Sequence, residues 1–204
     1  MIVETGAFAL ILALALAALQ TGMAVAGRLR RSPVLAGAGE GAAIASALAV
    51  AVAFATLIFA FAVSDFSVAN VAANSHTDKP MLYKVAGAWG SHEGSLVLWC
   101  LVLTGFGALL ARAGNLPFGL KTSAVAAQGF LGVLFLAFAV FTSNPFARLD
   151  PAPFQGNSLN PLLQDPALAF HPPFLYAGYV GLSIAFAFAV AALIEGRVDA
   201  AWAR

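Results

Sequence analysis

The chain is poor in charge and nearly devoid of cysteine. Of its 204 residues only 9% are Asp, Glu, Lys or Arg, where a soluble domain carries roughly 25%. The scarcity of charge excludes an ordinary water-soluble enzyme, and a hydrophobic content of 61% excludes a disordered chain. A formal net charge of +1 leaves no basic face for nucleic acid and no acidic tail, so no nucleic-acid partner is expected. The single cysteine, Cys100, rules out an internal disulfide, a CxxC redox pair and a thiolate zinc cage. It follows Trp99 within an apolar run and reads as a small packing residue.

What the chain does have is long apolar runs. A helix that crosses a bilayer needs about 20 predominantly apolar residues. Five stretches meet that need: 7–26, 42–63, 95–111, 122–142 and 174–194. None holds Asp, Glu, Lys, Arg or His, and none alternates with the period of a barrel strand. The expected fold is all-α, a polytopic membrane bundle of about five helices forming one transmembrane domain over 1–204. Abundant Ala and Gly would let those helices approach closely. Ala24, Val25 and Ala26 resemble a signal cleavage site, but the run before them is long and starts with Glu4 and no Lys or Arg. It reads as a retained anchor.

Basic residues set the expected orientation. The connections alternate sides, and one side holds Arg28, Arg30, Arg31, Arg112, Lys121, Arg197 and Arg204. The other holds Lys79, Lys84 and Arg148. The first side is expected to be cytoplasmic, with the N-terminus outside and the C-terminus inside. Two long outer loops, 64–94 and 143–173, then carry all three histidines: His76, His92 and His171. Any chemistry is expected there, on the outer face.

The first loop ends in Trp89-Gly-Ser-His92-Glu93-Gly94-Ser95, shortly before Trp99. Trp89 and Trp99 suit a membrane interface, with the indole N–H in water. Ser91 can cap the following helix, and Glu93 would be favoured near its N-terminus. His92 reads either as part of that polar cap or as a titrating or ligating group. The second loop holds seven of the ten prolines and is expected to be extended and stiff. Leu159, Leu162, Leu163, Leu168 and Phe170 would press it to the membrane surface. His171 precedes Pro172-Pro173 and the last run, which biases its backbone toward an extended conformation. Its imidazole, among Phe170, Phe174, Tyr176 and Tyr179, reads either as an axial haem ligand or as a hydrogen-bonded interface residue.

Two stretches, DFSVANVAANSHTDKPMLYKVAGAWGSHEGSLVLW from Asp65 and NPFARLDPAPFQGNSLNPLLQDPALAFHPPFLYAGYVG from Asn144, resemble the CcmF family of cytochrome c-type biogenesis proteins. The closing AFAFAVAALIEGRVDAAWAR resembles it too. The family supplies the membrane haem-lyase component of a multi-subunit maturation system in the bacterial inner membrane. The resemblance implies haem as cofactor, received from a haem chaperone at the periplasmic face and joined to the CxxCH cysteines of apocytochrome c. It implies that His171 is an axial haem ligand, with Trp89, His92, Glu93, Pro172, Pro173 and Tyr176 as pocket support. Other maturation subunits and membrane lipid are the implied partners. Family members are longer, and the second external histidine would follow Arg204, so the chain resembles their N-terminal part and is expected to be inactive alone. A competing reading is a non-catalytic scaffold or docking subunit, for which a stiff proline-rich loop is suited. A solute pathway is disfavoured because the apolar runs hold no ionisable group.

Overall fold

The structure, a computed structural model, describes residues 1–157 and 164–196. Leu159, Leu162 and Leu163 lie outside the described residues, as do Arg197 and Arg204. Among the described residues seven helices follow in order: α1 (Ile2–Arg30), α2 (Pro33–Ala62), α3 (Ala69–Asn74), α4 (Met81–Gly90), α5 (His92–Arg112), α6 (Phe118–Phe141) and α7 (Pro166–Glu195). Five of them, α1, α2, α5, α6 and α7, are long and apolar enough to cross a membrane. The chain is a multi-pass membrane protein built as a helical bundle.

The helices outrun the charge-free stretches, because a helix continues into the headgroup layer wherever its ends are capped. Between α1 and α2 the expected connection of fifteen residues shrinks to two. Arg31 adopts the left-handed conformation (φ 51°, ψ 39°), which ends α1. Ser32 then caps α2 by accepting a hydrogen bond from Leu35 N at 3.4 Å, with Pro33 at the first helical position.

Three polar side chains inside the bundle bond to neighbouring helices, where no water is available. Gln20 Nε2 donates to Val125 O at 2.9 Å, and Ser46 Oγ donates to Ala13 O at 3.0 Å. Gln128 Nε2 donates to Leu103 O and to Ser183 Oγ, each at 3.0 Å. Around them the core is made of small residues such as Ala13, Ala53 and Ala139, with Phe61, Leu57 and Leu136 as fully buried large ones.

The two long segments at one end are partly helical and partly stitched together. Ala69 N donates to Ala147 O and Leu149 N donates to Ser67 O, both at 2.8 Å, around an antiparallel bridge between Val68 and Arg148. Asn157 N donates to Ala72 O at 2.6 Å, and Gln155 Nε2 donates to Thr77 Oγ1 at 2.7 Å. A proline-rich segment has few donors for a helix of its own, so it pairs with a neighbour. Gly156 lies so close to Phe66 and the Ala72 carbonyl that a Cβ would overlap them. Phe146 and Pro145 are buried beneath this cap.

Candidate functional site

His171 lies inside a helix, and the extended backbone that Pro172-Pro173 favours locally is not what forms. α7 starts at Pro166, with the Asp165 carboxylate accepting from Ala167 N at 2.8 Å. Both Pro172 and Pro173 are helix-interior residues. A proline there lacks the N–H that would bond four residues back, a loss of about 3 kcal/mol in an isolated helix. Pro173 thus leaves the Ala169 carbonyl without its helix donor. The indole of Trp89, on α4, takes that place and donates from Nε1 to Ala169 O at 2.9 Å. A side chain eighty residues away repairs the helix beside His171, which is why tertiary structure overrides the local bias.

The result is an exposed imidazole on a braced turn. His171 is exposed between Phe170 and Phe174, themselves 57% and 77% exposed. It makes no hydrogen bond among the described residues, whereas the other two histidines are engaged. His92 Nδ1 lies 3.1 Å from Ser143 Oγ, just beyond α6, and His76 Nδ1 accepts from Asp78 N at 3.3 Å.

The other pocket candidates divide. Trp89 and Pro173 meet through Ala169 O. Tyr176 faces inward, edge-on to Trp99 at 5.4 Å, in a cluster with Phe135 and Tyr179. His92 and Glu93 belong to the head of α5, where Ser91 Oγ accepts from Gly94 N at 3.0 Å. Gly94 is required there, since a Cβ would overlap the Ala88 carbonyl. Neither indole keeps its N–H in water: that of Trp89 bonds to Ala169, and Trp99 Nε1 is buried. Cys100 is fully buried, as a packing residue should be.

Electrostatically this end is acidic, yet it buries a lysine. Lys79 is 7% exposed, and its Nζ donates to Asn74 O at 2.8 Å. Burial, with Lys84 adding repulsion, lowers its pKa to about 8. Arg148 is paired with Glu4 and Asp65 and ties the cap to the start of α1.

No group of three His, Cys, Asp or Glu able to hold a bare metal ion occurs among the described residues. A lone exposed imidazole suits a metal that brings its own equatorial ligands. Residues 89–202, from Trp89 through the whole of α7, match the family model described as cytochrome C assembly protein. The chain belongs to the cytochrome c assembly protein family. It is 60% identical over 205 residues to the cytochrome c-type biogenesis protein ccl1 of Rhodobacter capsulatus, covering all of this chain and 31% of that protein. It is 48% identical to the cytochrome c-type biogenesis protein CcmF of Pseudomonas aeruginosa, again over all of this chain and 31% of that protein. The fold is similar to a solved cytochrome c heme lyase CcmF, with a TM-score of 0.84 and 27% identity over 98% of this chain and 32% of that one. The chain thus spans about a third of the length of these cytochrome c assembly relatives. The family match starts at the residue that braces α7, so the brace and His171 lie within one matched region.

Two features of the site escaped sequence reasoning. The Trp89–Ala169 bond has a usable signal, a proline four residues after a carbonyl inside a helix, but nothing in the sequence names its donor. Ser143 as the partner of His92 has none.

Proposed function

We propose that this chain handles haem in cytochrome c maturation, presenting it at the end of the bundle that carries the two long segments. In this reading that end faces the periplasm of a bacterial inner membrane, in keeping with Arg28, Arg30, Arg31, Arg112 and Lys121 at the opposite end. His171 would hold haem iron through a ring nitrogen. The single observation that carries the reading is the exposed, unbonded His171 on a turn whose missing helix bond is replaced by Trp89.

The chemistry that haem supplies is a pair of vinyl groups, across which the S–H bonds of the two CxxCH cysteines add to form thioethers. This chain's part is positioning. α7 fixes the height and direction of the imidazole, Trp89 and Pro173 hold that turn, and Phe170 and Phe174 offer apolar surface to a macrocycle. A haem chaperone, other maturation subunits and apocytochrome c are the partners this role requires. Joined to them the chain acts as part of a haem lyase, and no nucleophile or general base need come from it.

A reduced-minus-oxidised visible spectrum of the chain, purified in detergent with its native partners, tests the reading. The haem signal is expected to weaken or shift in His171→Ala. An identical spectrum in the variant overturns the ligand role. A scaffold role is then the better account, and Phe154, fully exposed on the second segment, is its natural docking residue. Phe154→Ser would in that case break complex assembly while His171→Ala left it intact.

A further inference from the structure

The hydrogen-bond ladder of α7 thins just after His171. In an unbroken helix four bonds would cross that point, from the backbone nitrogens of residues 172–175 back to the carbonyls of residues 168–171. Pro172 and Pro173 carry no N–H, so two of those four bonds are missing. A helix bends readily where proline interrupts its ladder, and the direction of the turn bearing His171 is not fixed by α7 alone. The bond from Trp89 Nε1 to Ala169 O at 2.9 Å ties that turn to α4. A directional bond holds an angle only as firmly as its donor is held.

The indole is held from α2. Phe54 is buried, and its ring centroid lies 6.2 Å from that of Trp89 at an interplanar angle of 34°. That separation is within the range over which aromatic rings attract. Two turns further along the same face of α2, the fully buried Phe61 meets Gly87 of α4. A Cβ at Gly87 would overlap the Phe61 ring, so this contact sets how near α4 lies to α2. Phe54 then sets the tilt of the indole two residues later. We infer that Phe54 is a positioning residue for His171, acting through Trp89. Its ring holds the indole, the indole holds the Ala169 carbonyl, and that carbonyl fixes the turn from which the imidazole projects. The consequence for haem rests on the haem reading above, whereas the links from Phe54 to His171 belong to the chain without haem.

The test uses Phe54→Leu, which removes the ring and keeps most of the volume; Phe54→Met serves if that variant fails to fold. In the full chain in detergent, labelled with nitrogen-15 in tryptophan and histidine rings, it is expected to shift the Trp89 indole resonance and speed its proton exchange. The His171 ring resonance is expected to move with it. Val125→Ala, a buried change at the other end of the bundle, should lower the melting temperature and move neither resonance. With the native partners present, Phe54→Leu should weaken haem binding by up to about tenfold, the most that one aromatic pair can transmit. In a Trp89→Phe background it should weaken binding no further. Unmoved Trp89 or His171 resonances overturn the inference. An equal loss of haem affinity in both backgrounds also overturns it, because Phe54 would then act by a route other than Trp89. A haem spectrum indifferent to His171→Ala removes the haem reading instead, and the two ring resonances of the haem-free chain then decide the positioning role.

Discussion

At one end of the bundle two residues join α1 to α2, and the helices are clamped by ion pairs, Arg28 with Glu195 and Lys121 with Glu40. At the other end two long segments fold over the bundle, held by backbone hydrogen bonds between each other and by the bond from Trp89 of α4 to Ala169 of α7. The first end is economical and charged. The second is long and rich in proline, is held by backbone hydrogen bonds as well as by Arg148 with Glu4 and Asp65, and leaves His171 without a hydrogen bond among the described residues. A site needs chain to spare, since a turn of two residues can satisfy its own backbone but cannot carry a ligand on a braced scaffold.

The largest way to break the contrast is His171→Ala. It should remove haem ligation at the loop end while thermal stability stays within about 0.5 kcal/mol, as expected for an exposed side chain. Spectra and melting curves on one sample check both halves. Next is Arg28→Ala at the opposite end, which removes the two guanidinium bonds to Glu195 and leaves that carboxylate the Ser123 hydroxyl at 3.1 Å; it should cost about 2 kcal/mol, read from thermal unfolding in detergent. Haem ligation at the far end should be preserved.

Lys79 sharpens the comparison through pH. Its pKa is lowered from 10.5 to about 8, so between those values the folded chain binds fewer protons than the unfolded one, and stability rises with pH across that window. The penalty is present in full below pH 8 and amounts to at most about 3 kcal/mol. Lys79→Met removes this penalty together with the bond to Asn74 O, so the stability of the variant relative to the unaltered chain should fall as pH rises from 8 to 10.5. A pH-independent difference in melting temperature would refute this.

Trp89→Phe keeps the ring and removes the donor, leaving Ala169 O unpaired. A loss of about 1–2 kcal/mol is expected, together with a shifted haem spectrum that His92→Gln does not reproduce. Ser91→Ala is the smallest change, about 1 kcal/mol through the lost α5 cap, with haem ligation unaltered.

Much of this architecture could be read from residue order. A bilayer demands long apolar helices whatever surrounds them, so five runs in the chain correspond to the five long helices. Ser91 as a cap, Cys100 as packing and the segments carrying the histidines were legible because each depends on neighbours in sequence. α3 and α4 were not, because helices of six and ten residues are marginal alone and owe their stability to tertiary contacts. His171 was legible as a residue of interest and misplaced in conformation. Local steric rules predict an extended residue before proline, and those rules hold only while no outside donor serves the carbonyl that proline abandons.

Residue order by itself determined the membrane bundle and the division into a basic and an acidic end. Transfer of apolar side chains and positioning of charge depend on composition along the chain, so no contact map is needed to see them. Tertiary structure alone decided that α7 continues through two prolines, that Trp89 supplies the bond they lack, and that His92 turns to Ser143. Those outcomes rest on hydrogen-bond partners far apart in sequence, and a directional bond exists only once packing has brought donor and acceptor within 3 Å or so of each other.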